Sequence, residues 1–107
     1  MVEQLDACPF YITVPKLDAY FSGVGDLLAA LLLYHTTEDP AHLAQATEKA
    51  IGSLQKVLQF TAKAAGDASY SRDVSSAVMQ ARELRLVQCQ SDILCPVVSH
   101  RSQPVPL

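Results

Sequence analysis

The feature that most constrains this chain is an eight-residue apolar run, Leu27-Leu28-Ala29-Ala30-Leu31-Leu32-Leu33-Tyr34, set directly behind Gly23-Val24-Gly25-Asp26. The run is built of Leu and Ala with no β-branched residue, so helix is favoured over strand. Its apolar surface goes nearly all the way round. The pattern therefore predicts a helix from Asp26 to His35 that is covered on most sides, at the centre of a larger body. Eight residues fall far short of the ~20 that a membrane-spanning helix needs, so no span is expected.

With 107 residues and 50% apolar side chains the chain is sized for one domain. A net charge of −3, with eight Lys and Arg scattered along the sequence, supplies no basic patch for a phosphate backbone and excludes nucleic acid as a partner. Met1 to Asp6 carries two acids where a secretory signal would be basic and then apolar, which points to a cytoplasmic location. Cys8, Cys89 and Cys95 are odd in number and lack a common zinc spacing, so they read as reduced thiols packed as small apolar groups.

Residues 1–9 read as a lead-in, 10–95 as the domain and 96–107 as an irregular tail broken by Pro96, Pro104 and Pro106. Phe10 to Val14 is aromatic and β-branched up to Pro15, the profile of a short strand buried on both faces. Asp39 as N-cap and Pro40 at the first helical position predict a long helix ending near Ala65, before Gly66. Leu43, Thr47, Ile51, Leu54, Leu58, Thr61 and Ala65 form its apolar stripe. Gln45, Glu48, Lys49, Gln55, Lys56, Gln59 and Lys63 point elsewhere, as on an amphipathic surface helix. Gly52, mid-helix, costs about 1 kcal/mol relative to Ala, which makes sense only where another backbone comes close. Gly66 to Asp73 reads as a surface loop, Val74 to Arg82 as a short helix, and Leu84 to Gln88 as an edge strand.

The chemistry is expected where the glycines meet the helix. A helix start offers unpaired N–H groups and the positive end of its dipole, and glycines let an anion approach them. Asp26 in that first turn is kept ionised by the same dipole and can accept a proton from an alcohol. Gly25 is expected to tolerate no side chain, because a Cβ would meet the phosphoryl group or strain a positive-φ turn. Leu28 stands where a dinucleotide fingerprint needs its third glycine, and no Gly-Lys-Ser/Thr follows, so those two phosphate motifs are excluded. His35, His42 and His100 have no acidic or cysteine partner at ligand spacing, and no metal site made of side chains is expected. On four residues alone, a stabilising Asp in a first turn explains Gly-x-Gly-Asp as well as catalysis does.

The longer string, Val14-Pro15-Lys16-Leu17-Asp18-Ala19-Tyr20-Phe21-Ser22-Gly23-Val24-Gly25-Asp26 and on to Leu33, resembles the C-terminal signature of pyridoxal kinases in the ribokinase-like superfamily. Glu83-Leu84-Arg85-Leu86-Val87-Gln88 with Ser91-Asp92-Ile93 resembles that family's closing strand and turn. The resemblance implies the C-terminal fragment of a Rossmann-like α/β/α sandwich, helix-dominated with about two strands. It implies ATP-dependent phosphorylation of the 5′-hydroxymethyl group of pyridoxal and related B6 vitamers. Asp26 would be the catalytic base, Gly23, Val24 and Gly25 the anion hole, and Val14, Pro15, Lys16 and Leu17 the nucleotide contacts. ATP with Mg²⁺ and pyridoxal would be the partners, and the full-length enzyme a homodimer. Val24 stands where the family carries Thr, which keeps the shape and loses one hydroxyl. The family is also much longer and places its vitamer pocket in earlier sequence, so the 107-residue chain is expected to be inactive alone. Two rivals follow: a non-catalytic module that binds nucleotide or a protein partner, and a ribokinase-like kinase for another alcohol.

Overall fold

The computed structural model describes residues 9–15, 21, 23–65 and 83–106. Among these the order is β1 (Phe10–Ile12), α1 (Val24–Glu38), α2 (Leu43–Ala65), α3 (Gln90–Leu94) and β2 (Ser102–Pro104). The two strands pair antiparallel, Phe10 opposite Pro104, Tyr11 opposite Gln103 and Ile12 opposite Ser102. The expected lead-in apart from Pro9, residues 16–20 and 22, the 66–73 loop and the 74–82 helix lie outside the described residues.

The core lies between α1 and α2, where Leu31 packs with Ala50, Leu54 and Leu58. Phe21, Val24, Leu27, Leu28, Leu32, Leu84 and Ile93 close around it half-buried. On α1 only Leu31 and His35 are buried, and Leu33 and Tyr34 are 69% and 51% exposed, so within this chain the apolar helix is covered on one side and bare on the other. Buried residues cover a wide arc of α2, with Glu48 and Gln55 among them although the pattern turned both outward. Leu43 of the expected stripe is exposed. Thus α2 is amphipathic as expected, with Gln45, Lys49, Lys56, Gln59 and Lys63 exposed, and its buried arc is wider than the apolar stripe.

Polar and small residues of α2 dock the C-terminal segment in reverse order. Thr61 Oγ1 accepts the Arg85 N–H at 3.0 Å. Ser53 Oγ donates to the Asp92 carbonyl at 2.8 Å. A Cβ built on Gly52 would run into the Val97 carbonyl oxygen, so the close backbone approach expected there is present. Glu48 Oε2 accepts from both Ser102 N–H and Ser102 Oγ, at 2.7 and 2.9 Å.

Several boundaries move for local reasons. The first helix runs on to Glu38, its end supported by Thr36 Oγ1 donating to the Leu32 carbonyl at 2.6 Å. Asp39 closes it, giving its N–H to the His35 carbonyl, and spends its carboxylate on the His42 ring at 2.8 Å. It therefore caps no second helix, and α2 begins at Leu43 instead of Pro40. The end at Ala65 is as expected. The first strand stops at Ile12 and is half-buried, with Tyr11 exposed, because its neighbour is a short tail strand rather than a covered sheet. Leu84 to Gln88 is no edge strand. Residues 86–89 turn, with Cys89 N–H reaching the Arg85 and Leu86 carbonyls, and lead into α3. The tail expected to be irregular supplies β2 instead, where Pro104 is tolerated because a two-stranded ladder is all edge.

Candidate active site

The residues singled out at the glycine turn are brought together by one backbone event. Gly23 takes φ 83° and ψ 14°, left-handed values that a side chain would oppose, and so aims the chain into α1. The first intrahelical bond joins Leu27 N–H to the Gly23 carbonyl at 3.0 Å. The N–H groups of Val24, Gly25 and Asp26 precede it and have no acceptor within the helix. Gly23 at the N-cap has no side chain to cap them. Gly23 is the left-handed residue, whereas a Cβ on Gly25 would meet nothing within 4 Å. The expected intolerance of Gly25 on conformational grounds therefore belongs to Gly23.

Asp26 is exposed in this first turn, beside three N–H dipoles that point the same way. It lines a cavity of about 430 Å³ together with Gly23, Leu27 and Ala30 from α1, and Glu83, Leu84 and Leu86 from the C-terminal segment. Thr61 holds that far wall in place through the Arg85 N–H. Asp26 and the Gly23 turn thus stand on one side of the cavity, Leu27, Ala30, Leu84 and Leu86 make it mostly apolar, and Glu83 lines it from the C-terminal segment. Sequence reasoning missed Glu83 as part of the site. Its signal was present in the Glu-Leu-Arg-Leu-Val-Gln string, which was read as strand alone.

Chemically, the cradle can take negative charge that develops on an oxyanion or a transferring phosphoryl group, and Asp26 can take a proton from a hydroxyl held next to it. No protein-family model matches the chain. It is 38% identical over 94 residues to pyridoxal kinase of Arabidopsis thaliana, covering 88% of this chain and 29% of that protein. Human pyridoxal kinase is 42% identical over 85 residues, 79% of this chain and 27% of that one. Among solved structures, pyridoxal kinase from Leishmania donovani in complex with ADP superposes with a TM-score of 0.70 at 27% identity. That match covers 87% of this chain and 28% of the other. This chain is a homologue of the C-terminal part of pyridoxal kinases. Its helix-dominated α/β architecture is theirs. The chain spans under a third of the length of these relatives.

Of the residues the pyridoxal kinase resemblance assigns to nucleotide, Val14 and Pro15 are exposed just beyond β1. Lys16 and Leu17 lie outside the described residues. Of the thiols, Cys89 is buried and Cys95 exposed, both free, while Cys8 is not described. Burial, and next the Asp92 carboxylate, push the Cys89 thiol up and keep it protonated, which suits packing rather than nucleophilic attack. Among the described residues no three His, Cys, Asp or Glu side chains stand together as metal ligands. No described helix is long and apolar enough to cross a membrane.

Proposed function

We propose that this chain supplies the phosphoryl-transfer corner of a pyridoxal kinase, which moves the γ-phosphoryl group of ATP to the 5′-hydroxymethyl group of pyridoxal and related B6 vitamers. One observation carries the reading: Asp26 stands exposed in the first turn of a helix whose left-handed Gly23 start leaves the N–H groups of Val24, Gly25 and Asp26 with no acceptor inside the helix, next to a cavity that Gly23 and Asp26 line. In this reading the hydroxyl of the vitamer donates its proton to Asp26. The N–H groups of Val24, Gly25 and Asp26 hold the phosphoryl oxygens as charge builds. A loose phosphoryl-transfer transition state demands positioning and charge stabilisation more than a strong base, so an ordinary carboxylate suffices. Val14 and Pro15, with Lys16 and Leu17 following them, border the nucleotide. Mg²⁺ belongs with the ATP phosphates as part of the substrate, since it is held by few protein carboxylates and keeps most of its water. The reading extends to a cytoplasmic, homodimeric whole enzyme.

The test replaces the matching 94-residue stretch of the Arabidopsis kinase with this chain and follows pyridoxal 5′-phosphate formation. The chimera is expected to turn over, and Asp26→Asn to lower kcat by about 10²-fold or more with a much smaller change in the KM for ATP. A native kcat in Asp26→Asn would overturn the assignment. A folded chimera that binds ATP and transfers nothing would favour the non-catalytic module. The chain by itself, lacking most of the relatives' length, is expected to form no pyridoxal 5′-phosphate.

A further inference from the structure

Glu48 is the most buried carboxylate described, 5% exposed, and its position is not explained by the α1–α2 core. A buried carboxylate is tolerated only where donors replace water. Here both short contacts come from one residue of the tail, Ser102, through its N–H at 2.7 Å and its hydroxyl at 2.9 Å, and both fall on the same oxygen, Oε2. Arg101 reaches the other oxygen at 3.6 Å, yet its side chain is 73% exposed, so the ion pair is screened and weak. Ser102 is the residue opposite Ile12 in the β1–β2 ladder. Val105 N–H bonds the Pro9 carbonyl at 3.1 Å beyond the other end of the ladder. Ile12 is in turn the last residue of β1, two positions before Val14. A carboxylate on α2 therefore fixes the point from which the candidate nucleotide loop departs, although 54 residues separate Glu48 from the residue it grips.

We infer that Glu48 is a positioning residue for the nucleotide: through Ser102 and the β1–β2 ladder it sets the exit of β1 and so the placement of Val14 and Pro15. This inference rests on the kinase reading above. It touches no substrate itself, and its expected signature is in ATP binding rather than in the chemical step.

In the active chimera, Glu48→Ala should raise the KM for ATP about tenfold, the order that loss of one charged hydrogen bond represents, with kcat within about twofold. Glu48→Gln should restore a near-native KM, because the amide oxygen can accept from both Ser102 donors. Ser102→Ala, which keeps the N–H contact, should show a smaller rise and serves where Glu48→Ala does not fold. Arg101→Ala should change nothing. In the 107-residue chain, hydrogen exchange across 9–14 should accelerate in Glu48→Ala and not in Glu48→Gln. A native KM for ATP in a folded Glu48→Ala chimera, or unchanged exchange across 9–14, would overturn the inference. Failure of the kinase reading shows separately, as a native kcat in Asp26→Asn.

Discussion

Gly52→Ala sets two opposite expectations against each other. On helix preference alone, Ala in place of a mid-helix Gly stabilises by about 1 kcal/mol. In this structure the new Cβ would run into the Val97 carbonyl oxygen and lie 3.1 Å from the carbonyl carbon, both backbone atoms that no side-chain rotation can move aside. Forcing apart packed backbone costs about 1–3 kcal/mol. Displacing the segment also strains the neighbouring Ser53 to Asp92 hydrogen bond, worth about 1 kcal/mol. The net is a loss of about 2 kcal/mol, or a fall in Tm of about 8–16 °C for a chain of this size. Urea unfolding of the purified chain at low micromolar concentration, read by circular dichroism, should show a lower midpoint at an unchanged slope. A raised midpoint would mean that helix preference won, and would refute the close approach.

Three further outcomes follow. Gly23→Ala should cost about 1 kcal/mol or more, because φ 83° opposes any Cβ, while Gly25→Ala should leave stability within about 0.5 kcal/mol; the reverse ranking in urea would show that the turn is misassigned. Burial and then the Lys49 ammonium hold the His35 imidazole below its ordinary 6.5, while Glu38 pulls the other way. The unfolded chain therefore binds the proton first on acidification. Stability from this group is complete above 6.5 and is lost as pH falls from there through the lower folded value. His35→Leu should flatten that part of the urea-midpoint profile, and an equally steep acid limb in the variant would sink the argument. The exposed face of α1, with Leu33 at its centre, should make the isolated chain self-associate as concentration rises. Leu33→Glu should suppress this in light scattering at little cost in stability, and identical size distributions would show that another surface is responsible.

The parts of the fold that could be read from sequence are those set by local chemistry. The Gly23 to Asp26 turn, the α2 end at Ala65 and the tight approach at Gly52 each depend on what glycine alone permits or on a helix stop signal. Where a residue has two possible partners, sequence does not say which it takes. Asp39 could have capped α2 and instead ends α1 and binds His42. The alternation of Leu84 and Leu86 suits a strand, but the Arg85 N–H goes to Thr61, and the chain turns at 86–89. Ser102-Gln103-Pro104 carries no strand signal at all, and its pairing is specified from Glu48 on another element. Of the candidate site, the cradle and Asp26 lay contiguous in sequence and were legible. Glu83 reaches the same cavity only through the tertiary fold.

The wide buried arc of α2 has one physical origin. Apolar periodicity counts only burial against other apolar surface, so it ranks α1 above α2. Yet a buried face can also be made from small and polar side chains, provided each polar group finds a partner. That is how α2 meets the C-terminal segment: Thr61, within the apolar stripe, and Ser53, Gly52 and Glu48 around from it meet residues 85, 92, 97 and 102 in turn. From Thr61 back to Glu48 the helix rises about 20 Å. Along that length a single strap runs from the wall of the Asp26 cavity, at Glu83 to Leu86, to the strand paired with β1, from which the proposed nucleotide contacts Val14 and Pro15 follow. The cavity wall and that strand are thus positioned by the same helix through separate polar contacts. Substitutions at these polar contacts should reach the site from either end, whereas the apolar contacts hold α1 and with it the cradle itself.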